Sequence, residues 1–408
     1  MDRQPLIQPQ RASVRVRTAQ VLNAYVLPIG WLVIMTGMFW AWDRSLYHKL
    51  FYLFLAIPTL LALAVQPGPF KALVRNPMFL AFVAFSAYIL LSVSWAIDGE
   101  DFGSLFKRPL YIAMVLLSAG LIALNIPARL AQITHLAALI ATAAGGLSLI
   151  YFYGVQGASL GSRLDGYGAL YNPLLSAHVF GAFASVWLAT WYIGRNPWNP
   201  LALGCLAVLG VTLIATGSRT PIIGMAAALL WLMAAGNKKR GGLAIAIALV
   251  GIAALYVVMP DVLTSRGASY RPQIWMESLR QISENPWLGR GYDSEMTIVI
   301  PGLPTTLADP HNIELGVLYI GGVAGLSLWM VLYGLAMRFC WMNRREPQVV
   351  VAATWLVFGF ASGLTEGSAF MSRPKEHWFL IWIPMALVYA QWLCHWGNRL
   401  HHPPAKAL

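Results

Sequence analysis

Twelve apolar stretches run through this chain, at approximately 21–42, 50–66, 78–96, 110–125, 133–153, 174–194, 200–216, 221–236, 242–259, 312–338, 348–366 and 377–395. A run of about 20 apolar residues can satisfy its backbone as a helix and cross a hydrocarbon layer of about 30 Å. Only 11% of the 408 residues are charged, where a soluble domain carries about 25%. The expected fold is therefore all-α: a polytopic membrane protein of about 12 transmembrane helices, with residues 1–408 forming a single integral membrane domain. The basic leader (Arg3, Arg11, Arg15, Arg17) resembles a signal peptide. The apolar run behind it is too long and has no small-residue cleavage site, so it reads as an uncleaved first span.

Charge sets the orientation. With the N-terminus cytoplasmic, the alternating loops put 16 of the 28 Lys and Arg on the inner side, but of the 16 acids only Asp2 and Glu346. The net charge of +12 is then an inside-positive signature, and nothing in it points to nucleic acid. An even number of spans brings the C-terminus back to the cytoplasm. Cys205, Cys340 and Cys394 sit in or beside apolar runs, without zinc spacing or a disulfide framework.

Residues 260–310 form the longest connection, between the ninth and tenth stretches, on the outer side. Long loops in compact proteins are usually functional. Pro272 to Asn285 has helical spacing, with Trp275, Met276, Leu279 and Ile282 as its apolar positions. The spacing predicts a helix along the membrane surface, with Trp275 and Trp287 at headgroup depth.

The outer loops hold the candidate chemistry. Arg163 lies between the fifth and sixth stretches, Arg219 between the seventh and eighth, and Arg266 and Arg271 in the long loop. Pro221 and Pro272 suit a first helical turn, so Arg219 and Arg271 stand at helix N-termini. A cation there is unfavourable unless an anion binds, and a helix N-terminus with an arginine suits a diphosphate. Each arginine alone has a plainer reading, pairing with lipid phosphate. His311 follows Pro310 where the tenth stretch begins, with Asp309 as a candidate N-cap. A positive helix end favours neutral imidazole, the form that accepts a proton; an ordinary capping histidine is the alternative. No HExxH, P-loop or GxSxG is present, and no outer DxD pair to hold a metal. Asp98-Gly99-Glu100-Asp101 reads as a solvated turn.

The segment His311-Asn312-(nine residues)-Gly322-Val323-Ala324-Gly325 resembles the His-[Asn/Ser/Gln]-x9-Gly-x-x-[Gly/Thr/Tyr] signature of bacterial O-antigen ligases. Arg163 with Asn172-Pro173, the turn Gly217-Ser218-Arg219-Thr220, and Arg271-x-x-Ile274-Trp275 leading to Asn285-Pro286-Trp287-Leu288-Gly289 are similar to the wider family. That family also includes O-antigen polymerases and protein O-oligosaccharyltransferases. The resemblance implies a multi-pass enzyme of the Gram-negative inner membrane, with residues 260–310 as a periplasmic loop and the active site on that face. Its donor would be O-antigen on undecaprenyl diphosphate and its acceptor lipid A–core, with membrane lipids around it and neither metal, ATP nor other cofactor. Carried over, His311 is the essential histidine and Arg163, Arg219 and Arg271 hold the diphosphate. Arg266 competes with Arg271 for one motif slot, and Asn312 and Asn172 are supporting residues. The expected step is inverting transfer, with His311 as base and arginines stabilising the leaving diphosphate. A polymerase or protein oligosaccharyltransferase would differ in acceptor. A secondary transporter, the rival from another class, would want charge near the bilayer midplane and two related halves; this chain shows neither.

Overall fold

The computed structural model describes residues 14–96, 102–236, 240–246, 270–301 and 305–401, with side chains as far as 396. The ninth apolar stretch beyond residue 246, the acidic turn at 98–101 and Arg266 lie outside the described residues.

The described chain is helical, with one isolated antiparallel bridge between Ile298 and Leu307. Among the described residues, eight helices are long and apolar enough to cross a membrane. They are α1 (Val14–Phe39), α2 (Arg44–Val65), α3 (Pro77–Trp95), α4 (Phe102–Asn125), α5 (Arg129–Val155), α6 (Pro173–Ile193), α10 (Ile313–Met342) and α12 (Glu376–Trp396). Three apolar helices are shorter: α7 (Pro200–Thr216), α8 (Thr220–Ala235) and α11 (Pro347–Gly363). At 1.5 Å per residue the longest of these reaches about 26 Å, less than a full hydrocarbon core. The protein is thus an all-α polytopic membrane protein. Eleven of the twelve expected stretches fall on these helices, and eight of those meet the length for a span.

Sequence punctuation explains the helix ends. Asn76, Asn172 and Asn199 each precede a proline, and each side chain accepts from a first-turn N–H of α3, α6 or α7. Asn172, expected to support the site, has this capping role.

The hydrogen bonds between loops sort the helix ends into two groups. At one end Arg15 reaches Val65 O, Asn23 pairs with Gln66, Tyr389 reaches Leu73 O and Arg240 reaches Tyr192 O. At the other, Arg44 pairs with Glu376, Arg163 reaches Thr216 O and Tyr292 reaches Met371 O. Consecutive helices therefore run in alternating directions, as the loop parity requires. Burial separates inner from outer helices: α6 and α12 are 83% buried, α2 and α5 only 33%. Leu53, Leu60, Leu147 and Ile150 on the outer pair are open, as side chains facing lipid are. Large inner side chains dock their polar tips: Trp355 Nε1 donates to Phe379 O at 2.6 Å and Trp382 Nε1 to Phe370 O at 2.7 Å.

One helix is broken. Gly322 in α10 has φ 60° and ψ −165°, outside the helical region. The break frees backbone groups that have no water to bind at membrane depth. The segment 286–291 meets them. Val323 and Ala324 N–H donate to Pro286 O and Trp287 O, and Arg290 and Gly291 N–H donate to Tyr319 O and Ile320 O. Tyr88 Oη donates to Gly321 O at 2.8 Å. A Cβ on Gly322 would strike the Trp287 carbonyl. The Gly321-x-x-x-Gly325 spacing also has its packing use, since both glycines lie against Tyr88 of α3.

The loop helix α9 (Arg271–Ile282) is present, starting and ending close to its expected bounds. Its protein-facing side differs from the apolar stripe read from the sequence. Ile274, Ser278, Gln281 and Ile282 are buried, packing with Met296, Ile298 and Tyr319, while Met276 and Leu279 are open.

Gly322→Ala should destabilise the protein by about 1–2 kcal/mol or more, because it combines a left-handed strain with a backbone clash. Thermal melting of the purified variant in detergent would then drop by several degrees, whereas Gly334→Ala, with open space at its Cβ, should melt like the parent.

Candidate active site

Three helix ends converge at the second end of the bundle. The start of α10 is capped by Asn312, whose Oδ1 accepts from Leu315 N–H at 3.0 Å. Its Nδ2 donates to Leu364 O at 2.9 Å, tying that start to the end of α11. Asn312 is therefore the N-cap expected of Asp309, and α10 begins two residues after His311. Asp309 instead accepts from the His311 N–H at 2.7 Å. His311 has φ 49°, a left-handed conformation uncommon for a residue other than glycine. Held there, its Nδ1 lies 2.8 Å from Glu366 Oε1, three residues past the end of α11.

Glu366 has a second partner. Arg271, the first residue of α9, donates to Glu366 Oε2 at 3.0 Å. The Glu366 side chain is 5% exposed, His311 30% and Arg271 25%, so the carboxylate is enclosed while both partners reach the surface. A carboxylate at Nδ1 holds the proton on that nitrogen and leaves Nε2 as the acceptor.

The electrostatics reverse one expectation. The hydrogen bond to Glu366 raises the His311 pKa above its ordinary value; burial and Arg271 pull it down but do not win. Burial pushes Glu366 up, yet the hydrogen bond and charge of His311, together with Arg271, bring it below the usual carboxylate range. The positive helix end, argued from sequence to keep His311 neutral, is outweighed by a carboxylate in direct contact.

The other arginines occupy a neighbouring position. Arg163 Nε donates to Thr216 O at 2.8 Å, and Leu164 N–H to Ala215 O. This fastens the Arg163 loop to the turn between α7 and α8 that carries Arg219. Gly217 makes that turn at φ 60°, and Arg219 stands at the N-cap of α8 with Pro221 in its first turn. Helix packing joins this turn to the His311 group: Gly224 of α8 closes on Ser362 of α11, and Gly181 of α6 lies against Phe358 and Pro221. Arg271 is thus brought into the His311 network directly, and Arg163 and Arg219 are brought to each other's loops. No structural account of Arg266 follows, since it is outside the described residues.

Glu366 was not singled out from the sequence. One signal was available: a carboxylate at the outer end of an apolar run, in a chain with only 16 acids. The arrangement is an oriented imidazole beside the Arg271 guanidinium, suited to taking a proton from a hydroxyl while anionic charge is held nearby.

The sequence as a whole is similar to known proteins. Residues 204–330 match the family model described as O-Antigen ligase. A relative from Pseudomonas aeruginosa (strain PAO1), itself described as an O-antigen ligase, is 55% identical over 380 residues, covering 93% of this chain and 94% of the relative. Identity of that extent across nearly the whole of both chains means that this protein belongs to the O-antigen ligase family.

Proposed function

We propose that this enzyme transfers O-antigen polysaccharide from undecaprenyl diphosphate to lipid A–core, at the periplasmic face of the Gram-negative inner membrane. The observation that carries this reading is the Arg271–Glu366–His311 chain of contacts in a member of the O-antigen ligase family. The excess of Lys and Arg in the loops of the opposite end supports the orientation. The open Met276, Leu279 and Trp287 suit a surface helix resting in the membrane interface.

In this reading His311 Nε2 takes the proton of an acceptor sugar hydroxyl as its oxygen attacks the anomeric carbon of the donor. Direct attack inverts that centre. Glu366 keeps the ring oriented and stabilises the imidazolium that forms. The undecaprenyl diphosphate gains negative charge as it leaves, and Arg163, Arg219 and Arg271 oppose that charge; a well-aimed donor contributes on the order of 3–4 kcal/mol. Guanidinium groups serve here in place of a metal ion. The name of the Pseudomonas relative favours ligation over polymerisation or transfer to protein.

His311→Ala should fold and retain the donor but lose transfer by about 10²–10⁴-fold. In a deletion strain complemented with this variant, a lipopolysaccharide gel should show bare core, with lipid-linked polymer accumulating. A normal ladder at normal protein level would remove the base assignment.

The pH dependence tests Glu366 separately. His311 acts as a base only when neutral, so the rate should climb as pH rises through its raised pKa. Glu366→Gln removes the leading cause of that raise. Its acid limb should move to lower pH while the plateau drops by roughly 10²–10⁴-fold. An unmoved limb would mean that Glu366 does not act on the base.

Arg219→Lys keeps the charge but loses the planar fork, and should lower the transfer rate about tenfold or more. Parental activity in a single-turnover assay would put the diphosphate elsewhere.

A further inference from the structure

A second group of cations lies close to His311, around a pocket of about 680 Å³. Pro310, the residue before His311, is in its wall, as is Ser368, two residues after Glu366. None of Arg163, Arg219 and Arg271 takes part. The cations are Arg44 from the start of α2, Arg108 from α4, and Arg373 and Lys375 from the segment before α12. Asp293 and Glu295 are the carboxylates in the wall, so positive charge predominates.

Two of the four are fixed from behind. Arg44 donates twice to Glu376 Oε1, at 3.1 and 2.7 Å, and its guanidinium lies 5.2 Å from the Tyr171 ring centroid. Arg108 lies 3.3 Å from Tyr292 Oη, with Asp293 at 3.8 Å. The other two differ. Among the described residues, neither Arg373 nor Lys375 has a carboxylate within ion-pair distance. Burial lowers the Lys375 pKa, against the opposing pull of Glu376 and Asp309, and the neighbouring Arg44 and Arg108 add to the lowering. Concentrated positive charge in a partly enclosed pocket is unfavourable until an anion enters.

The walls specify the kind of anion. Serine and tyrosine hydroxyls and ring faces suit a saccharide. Of the apolar members, Met296, Phe370 and Met371 are buried, while Ala308, Ile320 and Ala369 are open or half-buried and give the sugar an apolar face to rest on. The volume matches a short oligosaccharide, within the ~300–1,000 Å³ usual for ligand sites. Several converging cations match a phosphoryl group, which carries close to two charges and three acceptor oxygens.

We propose that this pocket is the acceptor subsite, where Arg44, Arg108, Arg373 and Lys375 hold a phosphorylated sugar so that a hydroxyl of the same glycan meets His311. The inference rests on the transfer reading above. The base then serves two cationic sites of different use. The Arg163, Arg219 and Arg271 group takes the diphosphate of the donor, and the pocket takes phosphate on the acceptor.

Phosphate could come from either substrate, so the test measures both. The full-length protein in nanodiscs, as wild type and as Arg373→Gln/Lys375→Gln, is given lipid A–core acceptor before and after phosphatase treatment. Undecaprenyl diphosphate binding is measured on the same samples. The double variant should raise the half-saturating concentration of untreated acceptor by about tenfold or more, since two charge-assisted contacts are lost. Phosphatase treatment should erase most of the difference between variant and wild type. Undecaprenyl diphosphate affinity should stay within about twofold, and Arg373→Lys/Lys375→Arg, which keeps both charges, should restore most acceptor affinity. Weakened undecaprenyl diphosphate binding with unchanged acceptor saturation would overturn the assignment and give the pocket to the donor. Equal effects on treated and untreated acceptor, or no effect on either, would also overturn it. If wild type fails to transfer but binds phosphorylated core oligosaccharide through Arg373 and Lys375, the transfer reading falls and the anion subsite stands.

Discussion

One enclosed carboxylate, Glu366, organises the His311 corner of the second end of this bundle. Glu366 is 5% exposed, and an ionised carboxylate so placed is costly unless it is paired and hydrogen-bonded. It is paired twice, by Arg271 from the start of α9 and by His311 from the start of α10. Each partner comes from a different element, so the carboxylate ties three helix ends to one point. Removing either partner would leave part of a buried charge unmet, which costs more than the contact itself contributes. The geometry of the base is therefore a consequence of burying that acid.

The break in α10 serves the same point from further away. Gly322 opens the helix, and the backbone groups released there bind the segment 286–291. That segment follows α9 directly. The Tyr319 side chain also packs with Ile274 and Ile282 of α9 and reaches Glu295 O at 2.8 Å. With its following segment fixed on α10 and its inner face on Tyr319, α9 holds Arg271 at Glu366. Two motifs that are separate in sequence, around Asn285–Gly289 and around Gly322, are thus the two sides of one backbone junction.

The helices were legible because a bilayer leaves a chain little choice. Apolar runs must close their own hydrogen bonds, and eleven of the expected stretches are helices. His311 and Arg271 were legible from type and position. What failed depended on contacts distant in sequence. Glu366 lies 55 residues from His311, and no local pattern joins them. The charge state expected for His311 came from its helix alone, and a carboxylate 2.8 Å away outweighs a helix end, whose influence is worth at most about 2 kcal/mol. The side that α9 packs on the protein could not be read from the apolar spacing, for a related reason. In water the apolar stripe of a helix faces the protein. Here Met276 and Leu279 face away from it, and small or polar Ser278 and Gln281 face in, where the Gln281 amide reaches Thr297 O at 2.6 Å and Ser278 reaches Met296 Sδ at 3.4 Å.

Two basic neighbourhoods around one imidazole raise a question of sign, since cations nearby lower the pKa of a base and weaken it. The placement of the acids resolves it. Glu366 stands in contact with His311 and also takes up Arg271, while Asp309 accepts from the His311 backbone. On the pocket side Glu376, buried and in contact with Arg44 at 2.7 Å, offsets the cation nearest to it. The carboxylates lie closest to the base and its framework, and guanidinium groups lie beyond them. Coulomb interactions at an effective dielectric near 20 fall off over a few ångströms in just this range. The imidazole is therefore governed by Glu366 at short distance, which raises its affinity for a proton. A substrate anion that enters meets Arg271, 25% exposed, together with His311, 30% exposed. That layering lets one small region attract phosphate and still keep a basic nitrogen.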